Sequence, residues 1–181
     1  AGLFFAGYPY LVFQTLTVID TPFWITIFHL FVLLMILLRD QAQWGRTLFL
    51  IIFLSGITLG FSLLLRPIMP FFAIFAALWF LFRLNLWQSV ARLLPVALIG
   101  AVVIVPWIVR NAGIFDAFVP MTTTSGANLW QGNSQWTVPV FQAGYDVQWT
   151  APDAIDEDEL GPYEADQRRY QEVITYWREN T

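Results

Sequence analysis

The chain has 181 residues, of which 57% are hydrophobic, 18% aromatic and only 12% charged, with a mean hydropathy of +0.60. This balance excludes an ordinary soluble domain and a disordered one, and reads as an all-α polytopic membrane protein. The net charge of −4 hides a division: Arg39, Arg46, Arg66, Arg83, Arg92 and Arg110 against Asp20 and Asp40 leave residues 1–110 at +4, whereas 111–181 stand at −8.

Two regions follow, a transmembrane helical domain over 1–110 and an acidic segment over 111–181. Lysine is absent, so every cation is of the type suited to forked recognition of phosphate or carboxylate, although composition bias accounts for this more simply. Cysteine is absent too, which removes disulfides and thiolate metal sites. The chain opens at Ala1 inside an apolar run without a basic leader, and is expected to be a processed chain or the later part of a longer one.

About five transmembrane segments are expected. The first, near 1–19, is interrupted by Gly2, Gly7 and Pro9. The second covers 23–38, with Trp24 as an interfacial aromatic and His29, the single histidine, bonded to a neighbour inside the helix. The third and fourth, 47–65 and 68–82, are separated only by Arg66-Pro67, which forces a tight hairpin with the arginine at its tip. Gly56 and Gly60 on the third have the small-xxx-small spacing that admits a close helix neighbour, a spacing that glycine frequency in membrane helices would also produce. In the fifth, 93–109, Pro95 falls in the first turn and Pro106 is expected to break the last.

Loops 39–46 and 83–92 each hold two arginines. Short arginine-rich loops stay cytoplasmic, so these two face inward, and Asp20, Arg66, Arg110 and all of 111–181 face outside. In the outer segment, 111–150 suggests loops and short strands, and the run 153–159 a solvated acidic loop without calcium-loop spacing. Pro162 opens a helix over 162–179 that docks through Tyr163, Tyr170, Val173, Ile174 and Trp177. The segment is thus a mixed loop/helix cap.

Asp20, in Thr-Val-Ile-Asp-Thr-Pro-Phe-Trp, is an ionisable group at a membrane boundary and so a candidate functional residue, and it serves equally well as an N-cap. Arg66 and Arg110 are expected to share the outer face, each next to a proline-broken helix end. They either anchor their helices by snorkelling or bind a phosphate head group by charge-assisted bonds. No metal-ligand cluster, phosphate-cradling glycine loop, serine triad or nucleic-acid patch is present in the sequence.

Three motifs in order, Gly60-Phe-Ser-Leu-Leu-Leu-Arg-Pro67, Pro106-Trp-Ile-Val-Arg-Asn111 and Thr123-Thr-Ser-Gly-Ala-Asn-Leu-Trp-Gln-Gly-Asn133, resemble the GT-C superfamily of integral-membrane glycosyltransferases. The nearest branch is the bacterial family related to aminoarabinose and protein-mannosyl transferases. The resemblance implies transfer of a sugar from a polyprenyl-phosphate donor to a lipid, protein or glycan acceptor at the outer face of a bacterial inner membrane. It implies that Asp20 is the catalytic or metal-associated acid, that Arg66 and Arg110 hold the lipid phosphate, and that Asn111, Asn128 and Asn133 shape a loop over the cavity. A divalent metal is compatible with this and not required. The family's first outer loop, with its principal acid, normally follows the first span and is not visible upstream of Ala1, so the chain is expected to be partial, working with an N-terminal part or with other membrane subunits. The alternative is a non-catalytic subunit stabilising a larger membrane complex.

Overall fold

A computed structural model describes residues 8, 9, 13, 20–41, 43–151, 155 and 157–180. All the regular structure among them is helical, and the short strands expected within 111–150 are replaced by short helices. The chain divides into two compact units, Ala1–Arg110 and Asn111–Thr181.

In the first unit, α1 spans Thr21–Asp40, α2 Arg46–Leu65 and α3 Met69–Leu81; α4, Leu86–Phe115, begins here and runs past Arg110. Helices α1, α2 and α4 are long and apolar enough to cross a membrane, which points to a membrane protein. The expected first span, 1–19, lies almost wholly outside the described residues. The expected fourth span is shorter than 68–82: α3 has 13 residues, about 20 Å of helix against a hydrocarbon core of about 30 Å.

The fifth differs most. Pro95 and Pro106 both lie inside α4, and the helix continues through Arg110 to Phe115. Each proline forfeits one backbone bond, but the long apolar runs on either side keep the helix going, as membrane helices commonly do. Asp116, at φ 47°, turns into the left-handed region just beyond Phe115, where helices often terminate.

Local chemistry accounts for the other ends. Pro22 occupies the first turn of α1, where its missing N–H costs nothing. Arg66 ends α2 in an extended conformation, φ −143°, because Pro67 disfavours helical geometry in the residue before it.

Helix α2 is the centre of the unit, with nine buried residues against four in α1. Leu48, Ile51, Ile52 and Leu59 of α2 pack with Phe31, Leu34, Met35 and Leu38 of α1, joined by Met69 and Phe80 of α3 and Val96 of α4. On another face of α2, a Cβ on Gly56 would lie 2.5 Å from Ile99 Cβ, and one on Gly60 2.5 Å from Val103 Cβ. The two glycines therefore admit α4 at a separation that no side chain would allow. Both pairs are offset by 43 residues, so α2 and α4 run parallel.

Arg92 is not a loop residue. It lies within α4, is 5% exposed, and donates to the carbonyls of Leu38 (3.1 Å), Arg39 (2.9 Å) and Gln41 (2.8 Å). These groups cannot be satisfied within α1, and a cation there also complements the negative helix end. Arg39 in turn lies 3.6 Å from the ring centroid of Trp79, which ties α3 to the same end. His29 is exposed and donates from Nδ1 to Ile25 O (2.7 Å), so its neighbour is its own helix backbone.

The second unit contains α5 (Ser125–Gly132), α6 (Thr137–Gln142), α7 (Val147–Thr150), α8 (Glu157–Leu160) and α9 (Pro162–Asn180). Helix α9 starts at the expected proline, after Gly161 at φ +83°. Its docking face is rotated from the expected one. Val173 is buried as expected, and Tyr163 and Tyr170 are half-buried, but the buried face also takes in Ala165, Asp166 and Arg169, while Ile174 and Trp177 are more than 40% exposed. The reason is the close approach of α5, where a Cβ on Gly126 would come within 2.2 Å of the Asp166 carbonyl oxygen. Glu157 pairs with Arg169, so part of the acidic run is tied to α9 and is not simply solvated.

Candidate active site

Asp20 occupies the N-cap position of α1, yet its carboxylate makes no capping bond. It accepts instead from Arg66 Nη2 at 2.9 Å, and the same nitrogen donates to Thr21 Oγ1 at 2.9 Å. The α1–α2 pairing brings the start of one helix to the end of the other, and the extended backbone at Arg66 carries its side chain out of the helix. Two sequence candidates 46 residues apart thus become one polar group, completed by Thr21, which sequence reasoning passed over. Its only signal was its place in Asp-Thr-Pro. The Arg66 and Asp20 side chains are 35% and 48% exposed, so the pair is open to a ligand. Nε and Nη1 of Arg66 meet no protein acceptor among the described residues.

Arg110 is exposed on α4, its guanidinium 5.0 Å from the centroid of Trp107 one turn earlier. It is not at a broken helix end, since α4 is continuous there. The 43-residue register between α2 and α4 sets Leu65 level with Ile108, so Arg110 lies about 3 Å further along the axis, near the level of Arg66. Arg92 is 18 residues, about 27 Å, before it, at the end of the unit where α1 finishes. Asp20, Arg66 and Arg110 therefore share one end of the first unit, while Arg39, Arg46 and Arg92 share the other.

The three asparagines have different surroundings. Asn111 is 2% exposed and donates from Nδ2 to Val119 O at 3.0 Å, bracing the chain after α4. Asn128 is exposed on α5. Asn133 donates to Leu129 O and accepts from Trp177 Nε1 at 3.1 Å, beside a cleft of about 520 Å³.

Sequence reasoning also missed Asp166. It is 4% exposed, and its Oδ1 accepts from the backbone N–H groups of Gly126 (2.6 Å) and Ala127 (3.1 Å), so one helix caps the other. Burial pushes its carboxyl above the ordinary carboxylate range, with Glu157 adding to the rise. The two amide bonds and Arg169 pull the other way. The signal available was an acid among small and apolar residues on one face of a helix. Among the described residues, no three His, Asp or Glu side chains converge as a metal site.

No protein-family model, curated protein or solved structure matches the chain.

Proposed function

We propose that the chain is a GT-C-type membrane glycosyltransferase, or the later part of one, that takes a sugar from a polyprenyl-phosphate donor at the outer face of a bacterial inner membrane. The observation that carries this reading is the joining of Asp20, Thr21 and Arg66 at one end of the apolar bundle, with Arg110 near the same level. The positive-inside rule turns the opposite end, with Arg39 and Arg46, toward the cytoplasm, so the acceptor and residues 111–181 lie outside.

In the transfer, an acceptor hydroxyl loses its proton to the Asp20 carboxylate as its oxygen bonds to the anomeric carbon. The bond from that carbon to the phosphate oxygen breaks, and the electron pair leaves with the polyprenyl phosphate. Arg66 and Arg110 stabilise the charge developing on that oxygen. Arg66 keeps one nitrogen on Asp20 and turns the others to the phosphate.

The same ion pair supports a second reading, a clasp between helices in a non-catalytic subunit of a membrane complex. Native mass spectrometry of the full chain with undecaprenyl phosphate separates the two. The enzyme reading expects a one-to-one adduct that is lost in Arg110→Ala; equal binding by Arg110→Ala, or none by the unaltered chain, removes the phosphate site.

A further inference from the structure

The cleft in the second unit has walls of two kinds. Trp130, Trp136 and Tyr176 supply aromatic surface, with Trp130 only 6% exposed. Around them stand planar amides and acids: Gln135 and Gln171, Glu172 and Glu179. The Glu172 carboxylate is held in place by Trp130 Nε1, which donates to Oε2 at 2.8 Å, and its other oxygen meets no protein donor among the described residues. The side chains of Gln135, Gln171 and Glu179 are likewise unspent on protein partners among the described residues.

Aromatic faces combined with fixed amide and carboxylate groups suit a ligand that is apolar on its faces and hydroxylated around its rim. A pyranose ring has that form: its axial C–H groups lie on an aromatic ring while its hydroxyls donate to carboxylate and amide oxygens. About 520 Å³ is within the size range of small-ligand pockets.

Charge narrows the class further. The cleft has one cation, Arg168, against Glu172 and Glu179, within a segment that carries −8. Phosphorylated or otherwise anionic ligands are disfavoured there, and neutral saccharides are not.

We infer that this cleft binds neutral oligosaccharide, either a free glycan or the glycan part of a larger acceptor. The site goes beyond the sugar transfer proposed at Asp20 and Arg66. Binding and transfer are read separately, so either can fail while the other stands.

The test is isothermal titration calorimetry of the full chain in nanodiscs with maltotriose, mannobiose and triacetylchitotriose. Saturable binding of at least one, weakened tenfold or more by Trp136→Ala and by the exposed Gln171→Ala, is the expected result. No binding of any of the three would overturn the inference. So would binding that both variants leave unchanged, or affinity for a basic peptide without affinity for the saccharides.

Discussion

Arg66 Nη2 lies 2.9 Å from Asp20 Oδ1, joining the end of α2 to the start of α1 across 46 residues. Both side chains are more than one-third exposed, so solvent screens the pair and it contributes about 1 kcal/mol or less. Asp20→Asn should therefore leave thermal unfolding in detergent nearly unchanged. A large fall in the midpoint would make the pair a structural clasp.

Gly56 and Gly60 face Ile99 and Val103 with no room for a methyl group. Gly56→Val and Gly60→Val should each destabilise the first unit by about 1–3 kcal/mol, the range for overpacked interiors. Gly45, with open space where its Cβ would lie, is the control, and Gly45→Ala should have little effect on thermal unfolding.

Asp166 makes stability depend on pH with a definite sign. Its carboxyl is raised in the folded chain from 3.8, so the folded state holds the proton more tightly. The stabilisation from this group is fully present below the unfolded value and is lost as pH rises through the raised one. Asp166→Asn keeps an acceptor for Gly126 and Ala127 and removes the titration, so its advantage over the unaltered chain should grow with pH across that window. Asp166→Ala leaves two amides without their acceptor and should cost about 1–3 kcal/mol for each that stays buried. Unfolding followed by circular dichroism across pH reads both variants.

The chain has no cysteine, so single cysteines report sidedness cleanly. Ser125→Cys should react with an impermeant maleimide added outside intact cells, and Gln43→Cys only after the membrane is opened. The reverse pattern would invert the proposed topology.

The apolar helices were legible in the sequence because composition and length alone mark a run such as 47–65. Their ends were less so. Pro106 obeys a local rule that a continuous apolar helix overrides, and α3 is too short where its apolar run suggested a span. The role of Arg92 was hidden because α1 supplies its carbonyl partners, more than 50 residues away. Asp20 and Arg66 were each visible as charges at helix boundaries, but their pairing depends on how α1 and α2 meet, which no local pattern states. In the second unit, aromatic spacing pointed to Ile174 and Trp177, whereas Gly126 selects the face that buries Asp166.

The most direct test is sugar transfer from a labelled polyprenyl-phosphate donor in membranes containing the complete enzyme, comparing the unaltered chain with Asp20→Asn at matched expression. Removing a general base lowers turnover by about 10²–10⁴-fold, and the account predicts a loss of that order. Unchanged turnover in Asp20→Asn would contradict it.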